Sequence, residues 1–82
     1  QDRKDSPIAQ RYTSNLLSQG VERIAQKVVE EAGEVAIAGV TNKNSELASE
    51  IADLLYHTLV LMASNKVKPE DVWSVLRDRR QS

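Results

Sequence analysis

The sequence predicts an all-α protein. Its protomer is an antiparallel helical hairpin within a set of about four helices, and it dimerises into a larger helical bundle. Three observations predict this. Glycine and proline are few, three and two in 82 residues, while hydrophobic residues make up 40 % and charged residues 28 %, a balance that suits helices. Two long apolar-rich stretches flank a short polar break, Thr41-Asn42-Lys43-Asn44. Two acidic clusters, Glu30-Glu31-x-x-Glu34 and Glu50-x-x-Asp53, lie at matched distances on either side of it. A chain of 82 residues is expected to form one domain, residues 1–82, whose core is marginal alone and gains from association.

The first helix is expected from about Pro7 to Ser18, with Ser6 as N-cap and Pro7 in the first turn. Gly20 breaks the chain. The second helix runs from about Val21 to Val40, on an apolar stripe of Val21, Ile24, Ala25, Val28, Ala32, Val35 and Gly39 at the helical period. Asn42, Lys43 and Asn44 make the turn. The third helix runs from about Ser45 to Ser64. The last begins at Pro69, with Glu70 and Asp71 on its positive dipole end and Arg77, Arg79 and Arg80 near its negative one. Trp73, with Val72 and Leu76, is expected to pack this helix onto the hairpin.

The third helix carries the most information. Glu46, Glu50, Asp53 and His57 form one narrow stripe on it, and nearly everything else is apolar or small. A helix apolar almost all round is expected to be buried, so it takes its acidic stripe inward. The back face of the second helix carries Val29, Ile37 and Val40, which a lone hairpin leaves exposed. A second subunit is expected to cover them.

With Asn42 as the centre of the hairpin, Glu34 and Glu50 are each eight residues away, Glu31 and Asp53 eleven, and Lys27 and His57 fifteen. Mirrored positions in an antiparallel pair share a level along the axes. Four carboxylates gathered this way repel one another unless a cation joins them, and a hard ion such as Mg²⁺ suits oxygen ligands. Taken alone, Glu30, Glu31 and Glu34 read as an ordinary solvated face. The buried setting of Glu50 and Asp53 and the matched heights favour a metal site. Lys27 pairs with nearby glutamates, contacts substrate phosphate, or does both. His57 is either a hydrogen-bonded core residue or a phosphate contact.

Other chemistries are excluded or unsupported. Without cysteine there are no disulfides and no thiolate metal sites, which permits a reducing, cytoplasmic setting. A formal net charge of −1 implies no broad surface for nucleic acid. The longest apolar run, Leu59 to Ala63, is far too short to span a membrane. Neither a nucleophile–base pair nor a glycine-rich phosphate loop is recognisable. The first residue is Gln, so the chain is expected to be processed, trimmed or cut from something longer.

The two acidic motifs together resemble the signature of the all-α nucleotide pyrophosphohydrolase (MazG-like) superfamily. Within it, three stretches are similar to the phosphoribosyl-ATP pyrophosphatase family: Tyr12 to Leu17, Ile24 to Glu34, and Glu50 to His57. Val29 and Gly33 depart from the common pattern beside the acidic positions without touching them. The resemblance implies Mg²⁺-dependent hydrolysis of phosphoribosyl-ATP to phosphoribosyl-AMP and pyrophosphate, the second step of histidine biosynthesis. It also implies a helical homodimer with sites at the subunit interface, and in some organisms fusion to the cyclohydrolase of the next step.

Motif and mirrored heights together assign Glu31, Glu34, Glu50 and Asp53 as Mg²⁺ ligands. Glu30 is the candidate to orient or deprotonate the attacking water. Lys27 is the catalytic cation, and Lys27 and His57 are the phosphate contacts. Tyr12 and Thr13 line the substrate pocket on resemblance alone. Two other readings stand beside this one. A related house-cleaning enzyme would hydrolyse ordinary or modified (d)NTPs. A non-catalytic helical assembly module would show no Mg²⁺-dependent stability.

Overall fold

The computed structural model describes residues 7–81, the side chain of Gln81 excepted. The expected Ser6 N-cap lies outside the described residues. Four helices follow in order: α1 Pro7–Ser18, α2 Val21–Val40, α3 Asn44–Ser64 and α4 Pro69–Gln81. There is no strand among the described residues. The all-α expectation holds, and the helix bounds agree to within a residue. The one shift is at α3, which begins at Asn44 instead of Ser45.

The turns explain that shift. At the end of α2 the Lys43 amide donates to the Ala38 carbonyl at 3.2 Å and the Asn42 amide to Gly39 at 3.3 Å, with Asn42 at φ 59°. This pair of bonds closes the helix through a left-handed residue, a position Asn tolerates well. Three residues, Thr41, Asn42 and Lys43, make the reversal, so Asn44 is already free to start α3. The same closure ends α3: Val67 donates to Met62 at 2.9 Å, Lys66 to Ala63 at 3.1 Å, and Lys66 takes φ 61°. Between α1 and α2, Gly20 sits at φ 96°, which only glycine adopts without strain. Asp71 opens α4 by accepting the Lys68 amide at 2.9 Å.

Helices α2 and α3 form the antiparallel hairpin, and α1 packs across its open end. The core is small. Leu16, Ile24 and Val60 are buried there, with Tyr56 and Leu61 packed against them. Ile24 and Val60 are each eighteen residues from Asn42, so the core obeys the same mirror register as the acidic residues. The acidic level therefore lies between the core and the turn.

Two expectations are corrected. Helix α3 is not buried in the single chain: Leu55 and Leu59 are 58 % and 50 % exposed, because α1 covers one end of the hairpin only. Trp73 does not seal α4 onto the hairpin. It is 60 % exposed and lines a groove of about 200 Å³ with Leu55, Leu59, Met62, Pro69 and Val72. The back face of α2 is exposed as anticipated, Val29 by 72 % and Val40 by 82 %. The Cα radius of gyration is 14.5 Å, against about 12 Å for a compact chain of this length.

Candidate metal centre and substrate pocket

The mirror register brings carboxylates from both arms of the hairpin together. One oxygen from each of Glu31, Glu50 and Asp53 lies within 4.8 Å of the others. Their burial is graded: Glu31 is 7 % exposed, Glu50 half-buried and Asp53 exposed. The cluster thus sits on an open face of the hairpin, more accessible than an interior stripe would be. Glu34 is exposed and lines a groove of about 200 Å³ that also takes in Lys43, Glu46 and Glu50.

Compensation of these charges is incomplete. Lys27 Nζ lies 3.5 Å from Glu31 Oε2 and 3.5 Å from Glu30 Oε1, and Arg23 reaches Glu30 at 4.0 Å. Among the described residues no ion pair involves Glu34, Glu50 or Asp53. Glu31 Oε1 and Glu50 Oε1 are buried and have no hydrogen-bond partner. The Glu50 carboxyl is held above its ordinary value. A hydrogen bond shared with Glu34 is the main cause, then loss of solvent, then repulsion from Glu34, Asp53 and Glu31. The Lys27 ammonium is likewise raised. Desolvation, the largest single effect, opposes this, and Tyr12, Glu31 and Glu30 together outweigh it. Lys27 therefore stays charged at neutral pH.

At the level of Lys27 the site meets α1. His57 is 6 % exposed and both its ring nitrogens are engaged. Nδ1 donates to the Asp53 main-chain carbonyl at 2.7 Å, and Nε2 meets the Tyr12 hydroxyl at 2.8 Å. The Thr13 hydroxyl bonds the neighbouring Tyr56 hydroxyl. Two adjacent residues of α1 thus grip two adjacent residues of α3. Of the sequence-assigned residues, Glu31, Glu50 and Asp53 converge, Glu34 reaches Glu50, and Lys27 joins Glu30 to Glu31. Tyr12, Thr13 and His57 form a separate polar knot beside them.

Sequence reasoning missed Tyr56 as the partner of Thr13, and nothing in its spacing announces that bond. It also left Arg23 unassigned, although the seven-residue step to Glu30 puts both on one helix face. Glu46 was on the acidic stripe without a role, and it lines the groove with Glu34.

A family model for phosphoribosyl-ATP pyrophosphohydrolase matches residues 1–80. The chain is 43 % identical over 81 residues to a phosphoribosyl-ATP pyrophosphatase of Clostridium botulinum, covering 99 % of this chain and 74 % of that one. It is 46 % identical over 78 residues to the protein of the same name from Geobacter sulfurreducens, covering 95 % and 72 %. A third, from Streptococcus thermophilus, is 44 % identical over 79 residues, covering 96 % and 76 %. A likeness of this extent, running through both acidic motifs, makes the chain a member of the phosphoribosyl-ATP pyrophosphohydrolase family.

Proposed function

We propose that the chain hydrolyses phosphoribosyl-ATP to phosphoribosyl-AMP and pyrophosphate, the second step of histidine biosynthesis. Glu31, Glu50 and Asp53, with Glu34 beside Glu50, would hold the Mg²⁺ ion. The observation that carries this reading is the convergence of Glu31, Glu50 and Asp53 within 4.8 Å. Two of these residues also present buried, unpartnered oxygens. The donors are all carboxylates, which suits a hard divalent ion. The chemistry Mg²⁺ supplies when bound is neutralisation of phosphate oxygens and polarisation of water.

The remaining roles follow from the side chains themselves. Lys27 stays cationic and contacts the phosphates. Glu30 is more accessible than Glu31 and is tethered by Arg23 and Lys27, so it can orient the attacking water and accept its proton. Water adds to phosphorus at the α–β anhydride and pyrophosphate separates from the AMP side. Thr13 and Tyr12 line the substrate side of the pocket. His57, with both nitrogens committed, acts there through Tyr12.

The working unit in this reading is a cytoplasmic homodimer. The exposed apolar faces of α2 and α3 and the expanded single chain support pairing of two copies. Sedimentation equilibrium checks it: a twofold mass is expected, and a monomer at tens of micromolar would refute it. For the activity, pyrophosphate release is measured with phosphoribosyl-ATP and with a panel of NTPs and dNTPs, with and without Mg²⁺. Turnover is expected to be fastest on phosphoribosyl-ATP and to require Mg²⁺. Faster turnover of a free dNTP would reject the choice of substrate, and metal-independent turnover would reject the site.

A further inference from the structure

Helix α1 is short, at 12 residues, and little apolar contact holds it to the hairpin. Leu16 is its one buried side chain among the described residues, while Ile8 and Leu17 are 71 % and 45 % exposed. A helix of this length is marginal by itself, so its order comes from docking. Burial of one leucine is not directional, and it leaves the helix free to turn about that anchor. At the junction with α2, a Cβ on Gly20 would meet nothing within 4 Å, so packing there adds no brace.

A pair of hydroxyl contacts supplies the direction that burial lacks. Tyr12 meets His57 Nε2 at 2.8 Å, and the next residue, Thr13, bonds the hydroxyl of Tyr56. Adjacent residues on a helix point about 100° apart, and hydrogen bonds weaken steeply when bent. Both contacts therefore form together at one rotation of α1 against α3, whereas either alone leaves a pivot. Tyr56 is a firm anchor for its half. Its ring lies edge-on to His57 at 5.2 Å and 87°, tilts against Tyr12 at 6.1 Å and 33°, and packs on the core of Leu16, Ile24 and Val60.

The rotation of α1 bears on the site. Tyr12 lies close enough to Lys27 for the two groups to interact electrostatically, and Lys27 Nζ sits 3.5 Å from both Glu30 and Glu31. Turning α1 would carry Tyr12 away from that level. Resting on the function proposed above, we infer that Tyr56 is a positioning residue. Through Thr13 it fixes the rotation of α1 and so keeps Tyr12 at the Lys27 end of the site, where the substrate phosphates bind.

Two measurements test this. The first needs no substrate: amide hydrogen exchange in wild type, Tyr56→Phe and Thr13→Val. Phenylalanine keeps the ring and its packing, and valine keeps the shape of threonine, so each removes one hydroxyl. The α1 amides should exchange about three- to tenfold faster in both variants, the loss of one neutral hydrogen bond, with α2 and α3 amides unchanged. Unchanged exchange in α1 would overturn the inference.

The second is a kinetic double-mutant cycle. In Tyr56→Phe, KM for phosphoribosyl-ATP should rise roughly three- to tenfold with kcat and Mg²⁺ half-saturation kept, the pattern of lost ground-state binding. Thr13→Val should show the same rise, and the double variant no more than either single one. Thr13→Ser, which restores the hydroxyl, should restore KM. Costs that add in the double variant would mean the two hydroxyls act separately. An unchanged KM beside a lowered urea midpoint would make Tyr56 merely structural. Either result overturns the inference. Failure of the wild type to turn over phosphoribosyl-ATP would instead overturn the function and, with it, the role of Tyr56 in substrate binding. The exchange rates report on the hold over α1 independently of that result.

Discussion

Two levels of one hairpin obey the same geometry and solve opposite problems. At the α1 end, Ile24 of α2 and Val60 of α3 face each other and, with Leu16, exclude water completely enough that Ile24 has no exposed surface. Seven to ten residues nearer the turn, the same register brings Glu31 and Glu34 of α2 up to Asp53 and Glu50 of α3. Apolar side chains at such a meeting stabilise the pair, whereas carboxylates there strain it. The raised Glu50 carboxyl and the two orphaned oxygens are the marks of that strain. One level holds the hairpin together, and the other gathers carboxylates whose charge the chain offsets only in part.

The contrast can be broken from the acidic side first. Glu50→Gln should lower turnover on the order of 1,000-fold, since the ion's stabilisation of transition-state charge is worth several kcal/mol. The helical circular dichroism should be unchanged. A variant that retains activity would separate the cluster from the chemistry.

From the apolar side, Ile24→Ala should cost about 2–5 kcal/mol in urea unfolding, because a fully buried branched side chain leaves a cavity. The molecules still folded should bind Mg²⁺ as the wild type does. A loss of metal affinity in that folded population would mean the two levels are not independent.

The third test is the pH dependence of stability without metal. A folded carboxyl raised above its unfolded value binds its proton more tightly in the folded state. The stability linked to Glu50 is thus present below the ordinary glutamate range and is lost as pH rises through the raised value. Thermal midpoints should fall over that interval, recover on adding Mg²⁺, and lose this dependence in Glu50→Gln.

The smallest effect lies in helix propensity. Gly33 lies on α2 among the glutamates, and a Cβ there meets nothing within 4 Å. Gly33→Ala should add about 0.5–1 kcal/mol to unfolding through helix propensity alone, with activity kept.

Periodicity and punctuation revealed most of the fold. Gly20, Pro69 and the Thr41–Asn44 break mark helix ends because each has a local backbone reason to be there, and local reasons are readable in one dimension. The convergence of Glu31, Glu50 and Asp53 was legible for a different reason: a short turn fixes the register of an antiparallel pair, so sequence distance from Asn42 becomes height. Burial was less legible. Leu55 and Leu59 look like core residues, yet in one chain they stay half exposed, since composition records apolarity and not which surface meets it. The grip of Tyr12 and Thr13 on His57 and Tyr56 was out of reach as well, because the placement of α1 depends on tertiary packing across some 45 residues of intervening chain.

The most direct test is a crystal of the protein grown with Mn²⁺ in place of Mg²⁺ and examined by anomalous scattering. The expected result is a peak bonded to carboxylate oxygens of Glu31, Glu50 and Asp53, at roughly 2.0–2.3 Å. A map with no peak among those three, or with their carboxylates turned apart into solvent, would contradict it.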